Sequence, residues 1–236
     1  LDAGGVFCCV LQSVIFAQRT CRAQQITKEQ RSSQMNSRPY SLSSLESMPK
    51  LRGVLCDIDD TLTHHGRLVP EAFAMLSELQ RLGLAVVPVT GRPGGWVDQI
   101  ARIWPVDGVV GENGGLWYWF DGHKLQRRFA QPAAVRSENK RRLKSLADVI
   151  LERVPGCALA SDQPYRELDL AVDFCEDVSP LTGQDVDSIV HEFHSAGATC
   201  KVSSIHVNGW YGQFDKLSGI AAFHLDRFGQ EINPAE

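Results

Sequence analysis

The sequence predicts an α/β protein in two parts: a parallel sheet flanked by helices, interrupted by an inserted α+β block. Three observations carry this expectation. From residue 51 to 111 short apolar runs alternate with amphipathic helical stretches, the rhythm of right-handed βαβ units. At Leu116 the rhythm changes to a hairpin, a helix, a strand, a helix and two strands, which describes a compact α+β unit. A last helical stretch over residues 216–228 returns to the first pattern. The 236 residues suffice for one large domain or two small ones with a real core. The expected division is residues 48–115 with 209–236 for the parallel domain, and 116–208 for the inserted block.

The elements follow in order. Residues 1–47 look foreign to the rest. Residues 4–17 are mildly apolar but broken by Gln12 and Ser13, with no basic leader and too little length for a bilayer. Residues 18–47 are rich in Ser, Gln and Arg without periodicity, so the segment is expected to be disordered. Met48 directly precedes the first credible strand and reads as the natural start, with 1–47 an over-extended reading frame; a weak signal peptide is the alternative. A strand is expected over 53–57, then a helix over 70–81 with Pro70 in its first turn, Phe73, Leu76, Leu79 and Leu82 at helical spacing, and Gly83 at its end. A strand over 84–90 contains Pro88, which lacks an N–H and is awkward in a central strand. A helix over 94–103 and a strand over 108–111 complete this part. The strands 116–120 and 124–129 flank Asp121-Gly122, a hairpin turn. Helix 137–154, strand 168–174 and helix 183–196 follow, the last opening on Thr182 with Asp185 three residues on, a near capping box. Strands over 199–203 and 205–208 close the block.

Bulk composition excludes several functions. A formal net charge of −4 gives no support for nucleic-acid binding, and the one basic cluster, Lys140-Arg141-Arg142 with Lys144, lies on an expected helix as a solvated face. No membrane partner is expected, and nothing in the sequence fixes an oligomeric state. The seven Cys form no framework and no C-x-x-C, so zinc is not expected. Cys56, Cys157, Cys175 and Cys200 fall in or beside strand-like segments and are expected as buried free thiols in a reducing, cytoplasmic compartment.

The chemistry concentrates at strand ends. Val54-Leu55-Cys56 runs into Asp57-Ile58-Asp59-Asp60-Thr61, three carboxylates within four residues. Asp57 and Asp59 project to one side of an extended chain, and carboxylates that close persist where a cation binds them or one stays protonated. The segment is either a divalent-metal site with an acid/base group beside a nucleophile, or a strand ending in a solvated acidic turn. Ligands bind at the carboxyl ends of parallel strands. Thr90-Gly91-Arg92-Pro93 falls at the next such end, where a hydroxyl and close backbone N–H groups suit a phosphate.

D-x-D-x-T after one strand, V-T-G-R-P after the next and E-N-G-G at Glu112–Gly115 together resemble the haloacid dehalogenase superfamily of phosphatases. The step from E-N-G-G into an α+β block resembles its type IIB branch, over about residues 51–228. The resemblance implies a Rossmann-like core sheet with an inserted cap of the C2B type. It implies a Mg²⁺-dependent phosphatase acting on a small phosphorylated sugar or sugar-derived metabolite. Asp57 would attack phosphorus and form an aspartyl-phosphate. Asp59 would protonate the leaving oxygen and then deprotonate water. Thr90 would bind the phosphoryl oxygens, and Lys216, opening the last helix, would neutralise the charge. Mg²⁺ would bridge the Asp57 carboxylate, the Asp59 backbone carbonyl and the phosphate. Thr61, Gly91, Arg92, Asn113 and Gly114 belong to the motifs that would surround the substrate. In the cap, Arg166, Asp169, Ser204, His206 and Asn208 are the candidates for reading it, polar residues of a kind more often found as ordinary exposed strand positions. His64-His65 lacks metal-ligand spacing. Trp117, Tyr118 and Trp119 alternate on the hairpin as packing or hinge residues, or else as a sugar platform. The fourth motif of the family, an acidic loop after one more strand, is missing before Glu236, so a C-terminal truncation is expected, with weak metal binding and an uncovered flank on the strand bearing Asp57. Two readings compete with hydrolysis: a phosphosugar mutase, and a non-catalytic phosphosugar-binding protein.

Overall fold

A computed structural model describes residues 7–10 and 51–232. The elements in chain order are β1 (Phe7–Val10), β2 (Gly53–Cys56), β3 (Thr63–His64), β4 (Arg67–Leu68), α1 (Pro70–Arg81), β5 (Ala85–Pro88), α2 (Gly94–Ile103) and β6 (Val109–Gly111). A 3-10 turn over Glu112–Gly114 leads to β7 (Leu116–Phe120), β8 (Leu125–Phe129), α3 (Ala133–Arg153) and β9 (Ala158–Leu159). Then come β10 (Asp169–Asp173), α4 (Gly183–Ser195), β11 (Thr199–Val202), β12 (His206–Trp210) and α5 (Lys216–Phe228).

The core sheet begins β1-β2-β5, all parallel, with Cys56 opposite Pro88. Pro88 is tolerated because the N–H that reaches Cys56 O comes from Val89, at 2.8 Å. On the other side Pro88 has no N–H to give. There the join to β6 narrows to one parallel bridge, Val89 to Val110, with Thr90 N–H on Val110 O. From β6 the sheet turns antiparallel through β7 and β8. Side chains alternate across it as a strand's period of two requires. Cys56, Val86, Val109 and Tyr118 face Leu76 of α1 and Val97 and Ile100 of α2. Leu55, Val87, Val110, Trp117 and Trp119 face Ile220 and Phe223 of α5. Leu76 is fully buried, a contribution of roughly 1.5–3 kcal/mol for such a side chain.

The cap is a second sheet, order β11-β12-β10-β9, antiparallel throughout. One face carries Leu170, Val172 and Val207 against Leu143, Ile150, Ile189 and Phe193 of α3 and α4. The other face is polar, with Asp169, Asp173, His206 and Asn208 all buried.

Four expectations need correction. Phe7–Val10 forms a strand paired in parallel with β2, in register Phe7 to Gly53. That piece of residues 1–47 is therefore structured, and the strand leading to Asp57 has neighbours on both sides. The remaining readings for residues 1–47, and Met48, lie outside the described residues. The hairpin β7–β8 pairs with β6 of the core, Val109 opposite Tyr118, so the inserted block starts after Phe129 and not at Leu116. Trp117 and Trp119 are core packing, and Trp117 Nε1 donates to Asp226 at 2.8 Å. Helix α3 starts at Ala133, four residues early, because Ala133 to Arg136 hold no helix breaker after Pro132. Of the four thiols, all free, Cys56 is buried and the other three are half-buried. Among the described residues no helix is long and apolar enough to cross a membrane.

Candidate active site

The site lies where β2, β5 and β6 end and α5 begins. Past β2 the chain coils into a turn: the N–H groups of Thr61, Leu62 and Thr63 all point at Ile58 O. Asp60 sits in the left-handed region at φ 57°. Asp57 Oδ1 accepts the N–H of Ile58 at 2.8 Å, and its Oδ2 accepts from Lys216 Nζ at 2.6 Å. Asp59 is held by Arg92, with Nη2 at 2.8 Å and Nε at 3.1 Å from Oδ1. The two carboxylates therefore do not share one cation. Each has its own protein cation, Lys216 for Asp57 and Arg92 for Asp59. Arg92 also faces Asp162 at 3.8 Å and Glu176 at 4.0 Å.

Thr90 is fully buried, its Oγ1 accepting from Arg92 N–H at 3.0 Å, which tightens the turn through Gly91. Asn113, at φ 53°, donates its N–H to Thr90 O and lays its amide over Gly91. Lys216 reaches Asp57 because α5 starts against the turn that follows β6. Gly114 is at φ 100°, and a Cβ there would stand 1.9 Å from Asp215 O, so only glycine admits the helix so close. Asp215 then caps the helix, its Oδ1 accepting from Ser218 N–H at 2.8 Å while Ser218 Oγ accepts from Asp215 N–H.

Residue Glu112, read from sequence only as part of a turn motif, does more. It is fully buried at φ 45°. Its carboxyl accepts N–H bonds from Gly94 at 2.9 Å, Glu167 at 2.9 Å, Leu168 at 2.6 Å and Asp169 at 3.3 Å. It thus ties the core to the segment entering β10 of the cap. Burial and the nearby Asp169 push its pKa up to about 8, against those N–H groups. Three consecutive left-handed or strained positions, Glu112, Asn113 and Gly114, mark where strain is held in place by the packing around it.

The cap candidates divide. Arg166 binds Asp169 at 3.0 Å and Asp162 at 3.0 Å, and donates to Gly91 O at 3.1 Å. Asn208 Nδ2 donates to Asp169 Oδ2 at 3.1 Å. These three spend their polar groups on one another and on the loop through Gly91. His206 Nε2 lies 2.9 Å from Glu176 Oε2 but off the line of a hydrogen bond, and burial lowers its pKa. Ser204 is exposed in the turn between β11 and β12, away from the polar face. A cleft of about 250 Å³ opens beside Asp57, lined by Asp57, Asn113, Asp215, Lys216 and, from the cap, Lys201 and Trp210. None of the five cap candidates lines it. Strand alternation offered the only signal for the two that do, since Lys201 and Trp210 share the face of Asn208.

Among the described residues no group of three acidic, His or Cys side chains is placed to hold a metal. The Asp57 carboxylate and Asp59 carbonyl are hard oxygen donors of the kind Mg²⁺ takes together with waters and substrate phosphate.

Residues 54–152 match the model of the haloacid dehalogenase-like hydrolases. That stretch is less than half of the chain, and over it the chain is similar to that family. Among solved structures, Thermoplasma acidophilum 0175 matches this chain at 19% identity over 76% of this chain and 72% of its own, TM-score 0.59. The C-terminal domain of the C. albicans trehalose-6-phosphate phosphatase matches at 14%, over 74% and 62%, TM-score 0.58. The subclass IIB sugar phosphatase BT4131 matches at 14%, over 76% and 77%, TM-score 0.50. At such identities the likeness is one of fold. No curated protein matches by sequence.

Proposed function

We propose that this hydrolase is a Mg²⁺-dependent phosphatase that cleaves a small phosphorylated sugar or sugar-derived metabolite through an aspartyl-phosphate. The observation that carries the reading is the Lys216 ammonium 2.6 Å from Asp57 at the carboxyl end of a parallel strand. A carboxylate so placed can attack phosphorus, while the lysine offsets charge on the phosphoryl oxygens. The names of two of the compared structures, both sugar phosphatases, support the substrate class.

In this reading the buried Thr90 hydroxyl and the backbone around Gly91 hold the phosphoryl group. Asp57 attacks in line, and the bond to the leaving oxygen breaks as Asp59 gives that oxygen a proton. Asp59 then takes a proton from water, which attacks the aspartyl-phosphate and regenerates Asp57. Arg92 keeps Asp59 in place between these steps. When Asp59 carries a proton, the guanidinium has Asp162 and Glu176 to turn to. Asp57 and the Asp59 carbonyl would hold Mg²⁺, which supplies charge withdrawal from the phosphoryl oxygens when bound.

The test is phosphate release from a panel of sugar phosphates, with Mg²⁺ and with chelator, by the protein and by Asp57→Asn. The expected loss in the variant is at least about a thousandfold, with an unchanged melting temperature. A quenched single turnover should leave a phosphoryl adduct on the Asp57 peptide. Turnover by Asp57→Asn above a few per cent of the parent rate, or an adduct elsewhere, refutes the assignment.

A further inference from the structure

We infer that Lys201 reads a carboxylate on the leaving group, so that the substrate is the phosphate ester of a small acid and not of a neutral sugar. This rests on the phosphatase reading and names the substrate class of that same site.

The charges of the cleft are nearly all spoken for. Lys216 is spent on Asp57, and the Asp215 carboxylate caps α5 through Ser218. Lys201 alone of the two lining lysines has no hydrogen bond or ion pair among the described residues. Its pKa is driven down by burial and by Lys216, with Asp57 and Asp215 pulling the other way. An edge-strand lysine is a common guard against strand addition, and β11 is an edge. Lys201 is exposed as such a guard is, but it also lines the cleft, within the influence of the nucleophile and a second lysine.

Position then decides which anion it meets. The transferring phosphate is answered from the core, by Lys216 and the Thr90-Gly91-Arg92 turn. Lys201 comes from the cap, on the side where the leaving group must lie. Beside it Trp210, stacked on Phe214 at 5.5 Å, forms a rigid wall. One uncommitted, accessible cation and no uncommitted cap acceptor in the lining favour a ligand that accepts. A cleft of about 250 Å³ suits a small one.

The experiment compares matched esters that differ in the carboxylate: glycerate 3-phosphate against glycerol 3-phosphate, and 6-phosphogluconate against glucose 6-phosphate. The wild-type protein is expected to prefer the acid of at least one pair in kcat/KM. Lys201→Met should erase that preference, costing the acid about 10- to 100-fold more than its neutral partner, mostly through KM. Lys201→Arg should restore part of it. Melting temperature controls for folding, which a lysine without partners does not support. No preference in the wild type, or equal loss on both esters of a pair, overturns the inference while leaving the phosphatase reading intact. No phosphate released from any ester, nor from p-nitrophenyl phosphate, overturns both.

Discussion

The seam between core and cap has a dry side and a wet side. On the dry side Glu112 and Arg166 are buried, and nearly every polar atom is paired: Glu112 with four backbone N–H groups, Arg166 with two carboxylates and a carbonyl. On the wet side Asp57, Lys216 and Lys201 line an open cleft. Paired and dry groups fix geometry, because changing them leaves orphans that cost stability. Groups in the cleft can exchange partners, which is what binding and turnover need. Arg166 joins the two, since its bond to Gly91 O steadies the loop that carries Thr90.

The comparison predicts that wet-side changes cost activity and dry-side changes cost stability. The largest effect expected is at Asp59. Asp59→Asn should slow phosphate release by about 10²–10⁴-fold, more for sugar leaving groups than for nitrophenolate, which needs little protonation. Its urea midpoint should hardly move. Equal losses on both leaving groups would assign Asp59 to positioning only.

Next comes Glu112. Glu112→Ala orphans four N–H groups in a dry site and should cost on the order of 3–5 kcal/mol in urea unfolding. Amide exchange at residues 167–169 should quicken with it. A cost below about 1 kcal/mol would show that water replaces the clamp.

A smaller effect follows from the same group. The folded carboxyl lies up at about 8, above its ordinary 4.5, so the folded protein holds this proton more tightly than the unfolded chain does. The contribution is full below about pH 4.5 and is lost as pH rises through about 8. Stability should therefore fall over that window by on the order of a few kcal/mol at most. Glu112→Gln should flatten the slope. A slope unchanged in Glu112→Gln would show that other groups set it.

Much of this was legible in the sequence, for physical reasons. Buried strands and amphipathic helices announce themselves by period, so β2, α1, α2, α4 and α5 fall within a residue or two of expectation. Asp57, Asp59 and Thr90 stand out because strand ends concentrate chemistry, whereas Lys216, at the start of a helix, is singled out only by the family resemblance. What failed was long-range pairing. The hairpin β7–β8 was recognised from its turn, but no local signal says which sheet it joins. Ser204 shares its parity with His206, yet the turn ends the alternation there. Nothing local distinguishes Lys201 from any strand lysine, since what sets it apart is a cleft whose far wall, Leu55 to Asp57 and Val89, lies more than a hundred positions away.

The smallest effect compares two helices with the same start. Helix α4 opens on a capping box of Thr182 and Asp185, α5 on one of Asp215 and Ser218. Breaking either, by Thr182→Ala or Asp215→Ala, should cost about 1 kcal/mol. Only the second helix begins on the seam. Its first residue is Lys216, whose ammonium reaches Asp57, and Asp215 O packs against Gly114. Asp215→Ala should therefore also lower kcat severalfold, while Thr182→Ala leaves it within error. Equal stability losses with a kcat change in Asp215→Ala alone would separate what a cap does for a fold from what it does for a site. A kcat loss of the same size in Thr182→Ala would mean that the cap's own stability, and not the placement of Lys216, limits turnover.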